Sequence, residues 1–446
     1  MTADEGAAPA KAISPLRRNR DFAILWSGQA VSALGSSMSI LVFPLVGYAI
    51  TGSVGLASLA SAATLLGKVV AGLPAGALVD RWSRRRVLLM SNLAGATVFG
   101  SLAAATLAHH LTLAHLIAAG FASGVVNSFV DPAASAAVRT LVPTEQLPRA
   151  YAQLEVRQHA VDLTGPPLGG ALYSVARGLP FLVDAVSYCL TALSITRLRS
   201  TLPVPAATEA NQSLRGELVK GLRFVWQETV IRTLMIWAAA FNFAVTVVFV
   251  GVTLRLVRAG VHPAAIGTVD AIAAAAGLLG AVFAPTLIQR TPTGALTITT
   301  TFVFGAIITP MAWTHNVVVI GSLLACGVVL LPANVAGLSA YMAAATPSHL
   351  QGRMNAAAGF INNAASPIAP IVAGVLVGSA GGEAATLSGA ALVVLSAAPL
   401  LASPLIRALG RPESWASVPV GEESDDNAGA VNEMTPASEH YHTRST

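Results

Sequence analysis

From residue 22 to residue 408 the chain alternates long apolar runs with short polar breaks. Helices need roughly 20 apolar residues to cross a bilayer, whereas a barrel strand needs about half as many in strict alternation. The pattern predicts twelve spanning helices, near 22–50, 55–79, 86–108, 113–138, 152–175, 179–197, 230–254, 264–288, 294–313, 317–343, 355–378 and 384–408. The polar lead-in Met1 to Asp21 has no hydrophobic signal core, so the first helix is expected to stay in the mature chain.

Composition agrees with an all-α integral membrane protein. Hydrophobic residues make up 54% of the chain and charged residues 11%, with a mean hydropathy of +0.67. Soluble domains carry about 25% charged residues. Arginines cluster before helix 1 (Arg17, Arg18, Arg20) and after helices 2, 4, 6, 8, 10 and 12, at Arg81 to Arg86, Arg149, Arg197 to Arg223, Arg290, Arg353 and Arg407. The opposite loops hold little beyond Arg177, Arg255 and Arg258, so both termini are expected to be cytoplasmic at a cell membrane. These loops account for the net charge of +5, and no aromatic-interleaved basic patch calls for nucleic acid.

Sliding the chain against itself by 204 positions aligns Gly76 with Gly280, Arg86 with Arg290, Pro143 with Pro347, Arg149 with Arg353, Pro166 with Pro370 and Gly170 with Gly374. The expected organisation is an N-terminal segment (1–21), a six-helix half (22–197), a connection (198–229), a second six-helix half (230–408) and a disordered acidic tail (409–446). Two parallel halves put a binding site near the midplane and permit alternating access.

The segment Gly76-Ala77-Leu78-Val79-Asp80-Arg81-Trp82-Ser83-Arg84-Arg85-Arg86 sits between two apolar stretches. It resembles the G-x-L-A-D-R-x-G-R-R signature of the major facilitator superfamily, with Val79 and Ser83 as departures. The tracts Asp131-Pro132-Ala133, Leu141-Val142-Pro143 and Gln351-Gly352-Arg353 are similar to a bacterial branch that includes siderophore exporters and macrolide efflux proteins. This resemblance implies that Asp80, Arg81, Arg84, Arg85 and Arg86 latch the two halves in the outward-open state. Gly72 and Gly76, one turn apart, would permit the close helix approach this needs. Thr164-Gly165-Pro166-Pro167-Leu168-Gly169-Gly170 resembles the G-P-x-x-G-G end of an antiporter signature, which favours export, with a packing kink as the alternative reading of the same residues.

Ionisable groups at membrane depth cost about 2.5–3.5 kcal/mol each and tend to face a cavity or one another. Glu155, His159 and Asp162 share one face of helix 5, with Asp162 about halfway across, which makes Asp162 the first candidate for proton coupling and His159 a relay. The competing reading is a static ion pair of Asp162 with Lys68 or Arg157. Lys68 shares a face with Gly72 and Gly76; Asp131, Asp184 and Asp270 rank lower because each lies near a predicted helix end or a loop partner. Relatives often carry an acid after the helix 1 glycine, where this chain reads Gly35-Ser36-Ser37.

Polar stripes at Gln29, Ser32, Ser36 (helix 1), Asn242, Thr246 (helix 7) and Asn355, Asn362, Ser366 (helix 11) are expected to line a mostly apolar cavity, with Trp26, Phe243 and Phe360 as walls. Such a site suits a small amphipathic organic compound. Cys189 and Cys326 are expected to be reduced packing residues. No metal or other cofactor and no enzymatic activity is expected: there is no H-E-x-x-H, no G-x-S-x-G, and Gly67-Lys68 is followed by Val69 without the earlier glycine of a phosphate loop. The expected function is a monomeric proton-coupled exporter of a drug, antibiotic or siderophore, with an uptake symporter or a non-transporting sensor on the same fold as alternatives.

Overall fold

The computed structural model describes residues 16, 19–200, 214–347 and 350–417. The acidic tail from 418 onward, the lead-in 1–15, and Arg17 and Arg18 lie outside the described residues. Within them the regular structure is helical.

The first six helices are α1 (Arg20–Thr51), α2 (Val54–Arg81), α3 (Arg84–Leu107), α4 (Leu113–Leu141), α5 (Leu147–Val175) and α6 (Leu179–Thr196). Local chemistry sets their ends. Asn19 caps α1 by accepting from the Phe22 N–H, and its amide donates to the Leu141 carbonyl at 2.7 Å, joining the start of α1 to the end of α4. Gly52, at φ +66, ends α1, and the next residue, Ser53, caps α2. Helix α2 packs on α4 through Gly67, Gly120 and Gly124; a Cβ on Gly124 would collide with the Thr64 carbonyl.

A short helix, α7 (Leu214–Gln227), lies in the expected connection. Its Gly221 rests on the Arg353 backbone, and Val225 is buried with Met235, Met354 and Ala357. The connection therefore packs beneath the second set of helices: α8 (Thr229–Arg258), α9 (Pro263–Arg290), α10 (Thr293–Ile308), α11 (Val317–Val328), α12 (Leu331–Ala345), α13 (Gln351–Ala364) and α14 (Ile368–Ser396), with short terminal helices α15 (Ala398–Ala402) and α16 (Pro404–Arg407). Two expected spans are broken, α11 from α12 before Pro332 and α13 from α14 before Ile368. Pro332 and Pro367 account for both breaks, since proline supplies no N–H and disfavours helix in the residue before it.

Ten runs among the described residues are long and apolar enough to cross a membrane. Two observations relate ten to the expected twelve. Helix α5 is absent from the ten because charged and polar side chains fill its first half. The run Gln351–Ala402 is counted once but reverses at Gly381, whose φ of +85 only glycine adopts readily. Neighbours along α8 trace the reversal: Ala373 lies by Gly251 and the Val377 carbonyl by Arg258, then Thr386 by Arg255 and Gly389 by Val248. The chain climbs α8 and then descends it.

One corrected expectation concerns the cysteines. Cys189 and Cys326 are free but exposed on outward helix faces, not packed inside. A second concerns Arg255, read as a loop cation: it is buried in the last turn of α8, with its guanidinium on the carbonyls of Met311, Ala312 and Thr314.

Candidate functional site

The helices named above divide the molecule into two ends. One carries Arg20, Arg81, Arg84 to Arg86, Arg149, Arg290 and Arg353 and is called the basic face; the other is the distal face.

Toward the distal face the two sets of helices touch backbone to backbone. A Cβ on Gly170 (α5) would meet the Pro263 carbonyl of α9, one on Gly267 (α9) would meet the Pro166 carbonyl, and one on Gly374 (α14) would meet Ser58 of α2. Toward the basic face the same helices diverge. Gly72 and Gly76 on α2 and Gly352 and Gly359 on α13 have open space where a Cβ would point. Positions 54, 58, 72 and 76 share one face of α2, so this face is sealed at one end and open at the other. The result is a cleft open to the basic face. A cavity of about 640 Å³ sits on the distal face among Tyr173, Arg177, His109 and His262, bordering the seam at Pro263.

Gly170 and Gly374, matched by the 204-residue offset, thus occupy equivalent seams, α5 on α9 and α14 on α2. The G-P-x-x-G-G stretch serves two neighbours at once. Gly165 and Gly169 lie on Ser37 and Met38 of α1, while Pro166 and Gly170 face α9.

Charged side chains gather where the seam opens. The Lys68 amine on α2 lies 4.0 Å from the Asp131 carboxylate on α4, and both are well exposed to the cleft. Arg157 of α5 is within electrostatic reach of Asp131 and Glu155. Asp131 sits well inside α4, not at a helix end as the sequence suggested, and it is the acid that Lys68 takes. Asp162 is exposed and accepts from the Gln158 amide of its own helix at 2.9 Å, with His159 nearby. The static pair of Asp162 with Lys68 or Arg157 is therefore not formed; the cations go to Asp131.

The expected cavity stripes separate. Asn242, Asn355 and Phe360 are exposed, Thr246 bonds back to the Asn242 carbonyl, and Asn362 and Ser366 are half-buried beside the break between α13 and α14. Gln29 and Ser32 are buried, Ser36 bonds the Tyr188 hydroxyl of α6 at 3.0 Å, and the Trp26 indole donates to the Gln153 carbonyl. The α1 stripe thus faces α6 inside the first set of helices, because Gly28 and Gly35 let α6 approach on that side. Phe243 packs with Val54, Ala57 and Ala369 across the seam.

In the charged loop after α2, the Arg84 guanidinium donates to the Thr140 hydroxyl at the end of α4, and Arg85 donates to the Thr196 carbonyl at the end of α6 at 2.7 Å. Both arginines sit where helix C-termini attract cations. In this state they tie the first set of helices together, while Arg86 is exposed. The Asp80 side chain lies outside the described residues.

Residues 25–370 match the family profile described as Major Facilitator Superfamily. The chain belongs to the Major Facilitator Superfamily. It is a multi-pass membrane protein of a transporter family, with no enzymatic assignment. Major facilitator relatives include the "Multidrug efflux pump Tap" of Mycobacterium tuberculosis, 28% identical over 91% of this chain and 98% of the relative. The Tap pump of Mycolicibacterium fortuitum is 27% identical over 79% and 88%. "Macrolide efflux protein A" of Streptococcus pyogenes is 24% identical over 45% of this chain and 49% of its own. Among solved major facilitator folds, a bacterial homologue of the iron transporter ferroportin in an inward-facing state superposes with a TM-score of 0.66 at 17% identity, covering 91% of this chain and all of that one. A bacterial homologue of the lysosomal transporter Spinster, also inward-facing, gives 0.64 at 12% identity, covering 89% and 98%.

Sequence reasoning named two residues but ranked one low and misplaced the other. Asp184 is fully buried on α6, bonded by Ser39 and Ser187. Arg255 caps the end of the α10 segment. The signal for Asp184 was present in the sequence, since Ser187, Tyr188 and Thr191 follow it at helical spacing on one polar face.

Proposed function

We propose that this carrier exports small amphipathic organic compounds from the cytoplasm in exchange for protons, by alternating access. One observation carries the reading: a cleft sealed at the distal seam and open at the basic face, with Asp162 and the Lys68–Asp131 pair at its depth. Cation-rich loops face the cytoplasm, which makes the basic face cytoplasmic and the cleft accessible from inside. The efflux relatives support export, and the exposed Asn242, Asn355 and Phe360 with half-buried Asn362 and Ser366 offer few polar groups among apolar walls. The carrier works as a monomer of two six-helix halves, residues 22–197 and 230–408, joined through 198–229.

Protons moving inward supply about 2.3 kcal/mol per charge per 100 mV. Asp162 is the proposed exchange site because it is exposed to the cleft and held by the Gln158 amide, with His159 within electrostatic reach and Lys68 paired elsewhere. His159 and Glu155 complete its face. Inverted vesicles carrying wild type are expected to accumulate radiolabelled erythromycin under an imposed pH gradient. Asp162→Asn should reduce that accumulation at least tenfold while leaving counterflow exchange intact. Equal accumulation in the two forms would remove Asp162 from the mechanism; no accumulation in either form would favour a symporter or a sensor.

The loop after α2 is the latch of the opposite state, in which the basic face closes and Gly72 and Gly76 meet the second half. Its offset copy has Ala284 for Asp80 and Pro285 for Arg81, so no second latch compensates. Asp80→Asn should slow turnover severalfold without changing the affinity of the inward-open form. Unaltered turnover would refute the latch.

A further inference from the structure

Asp184 lies on α6 at the depth of Gly35 to Ser39, the middle of α1. Its side chain is 0% exposed. The Ser39 hydroxyl donates to one carboxyl oxygen at 2.7 Å and the Ser187 hydroxyl to the other at 3.3 Å. The carboxyl also presses on the α1 backbone, where a Cβ at Gly35 would strike it.

The partners decide what this group can do. Among the described residues no lysine, arginine or histidine bonds to it or pairs with it. Helix α1 presents the hydroxyls of Ser32, Ser36 and Ser39, and α3 presents Gly95 against the Tyr188 ring. Helix α4 presents Asn127 and, one turn further, Asp131; α6 itself presents Ser187 and Tyr188. Hydroxyls both donate and accept, so the same two serines satisfy an ionised carboxylate as donors and a protonated carboxyl as acceptors. Asp131 differs in kind, because Lys68 beside it favours one charge state.

A polar path leads to the cleft. The Tyr188 hydroxyl bonds Ser36 at 3.0 Å and donates to Asn127 Oδ1 at 3.3 Å, and it lies within electrostatic reach of both Asp184 and Asp131. Asn127 is half-buried one turn from Asp131, whose side chain is in the cleft.

We propose that Asp184 is a second proton-binding site of this carrier, loaded from the cleft past Asp131, Asn127 and Tyr188 and held between Ser39 and Ser187. The proposal rests on the proton-exchange reading and extends it. A proton from cleft water is received by the Asp184 carboxylate, the serine hydroxyls reorient, and the proton returns to water by the same route; no other bond forms or breaks. Because α6 packs along α1 while the carboxyl lies on the Gly35 backbone, its charge state bears directly on the α1–α6 contact. Burying an ionised carboxylate without a cation is the costly state.

The test uses the full-length protein in detergent, without transported compound, so that it stands apart from the transport assay. Proton uptake is measured in weak buffer, and carboxyl bands are followed by infrared difference spectroscopy across pH. Wild type is expected to bind about one proton more per molecule than Asp184→Asn over the titration, with a protonated-carboxyl band that the variant lacks. Ser39→Ala, a milder change, should shift that band and its midpoint without removing it. Tyr188→Phe should slow uptake at least tenfold and leave the stoichiometry unchanged. Identical uptake and bands in wild type and Asp184→Asn would overturn the proposal, as would a band unmoved by Ser39→Ala should the Asp184 variant not fold. In erythromycin vesicles, Asp184→Asn should lose gradient-driven accumulation while keeping counterflow. Wild-type vesicles that ignore the gradient would sink the exchange reading itself, even with the Asp184 band present.

Discussion

Gly267→Val is expected to abolish erythromycin accumulation in vesicles, with at least a tenfold loss of initial rate, while leaving the protein folded and in the membrane. In this structure the Gly267 backbone lies against the Pro166 carbonyl and the Pro167 Cα, where a Cβ does not fit. Neither neighbour is a flexible side-chain tip that could move aside. Valine adds two further methyl groups and would force α5 and α9 apart at the distal seam. The cluster around Leu116, Phe99 and Tyr188 lies wholly in the first half and away from this contact, and the cluster around Trp237, Phe241 and Phe304, which takes in Ile266 and Val269 beside it and Leu41 and Leu45 of α1, is otherwise built from the second half. The variant should therefore fold but fail to seal. Spin-label distances across the distal face should lengthen and lose their short population. Gly267→Ala should show the same trend less strongly, since one methyl group needs a smaller displacement. Transport at wild-type rate by Gly267→Val would mean that the seam is not a gate.

Arg255→Met is expected to destabilise the second half by about 3–5 kcal/mol. Arg255 donates to the Met311 carbonyl at 2.7 Å, the Ala312 carbonyl at 2.9 Å and the Thr314 carbonyl at 2.8 Å, and reaches the Thr386 hydroxyl at 3.4 Å. These carbonyls end the α10 segment and its 3-10 turn Thr309–Trp313, where helix geometry leaves acceptors without intrahelical donors. A cation there also complements the helix dipole. Methionine fills much of the space but offers no donor, so the carbonyls lose their partners. Lysine restores the charge without the planar fork and should recover only part of the loss. The thermal unfolding midpoint of the purified protein, followed with and without lipid, reads the effect. Equal midpoints for wild type and Arg255→Met would show that the clamp contributes nothing.

The periodicity of apolar residues made the spanning helices legible, whereas α7 forms inside the expected connection. It also separated the two spans on either side of the fold-back at Gly381. The charged residues of α5 were legible for the same reason: in a chain so poor in charge, each ionisable group stands out. Their partners were not. Lys68 has acids available on α4 and α5, and sequence spacing cannot say which helix lies nearer; the Gly67, Gly120 and Gly124 contacts bring α4 against α2 and give Lys68 to Asp131.

The serines of α1 illustrate the same limit. Their spacing places Gln29, Ser32 and Ser36 on one face, but a polar face reads alike whether it turns to water or to a neighbouring helix. Gly28 and Gly35 admit α6, and the stripe becomes internal hydrogen bonding around Asp184 and Tyr188.

By itself the sequence determined the membrane-spanning helices, the 204-residue repeat, the charged loop after α2 and the rarity of ionisable groups within the spans, because each follows from local composition and spacing. Only the tertiary structure decided which end is sealed, which acid Lys68 holds and where Asp184 lies. Those depend on which helix faces meet, and that is set by close backbone approach at glycines brought together from distant parts of the chain.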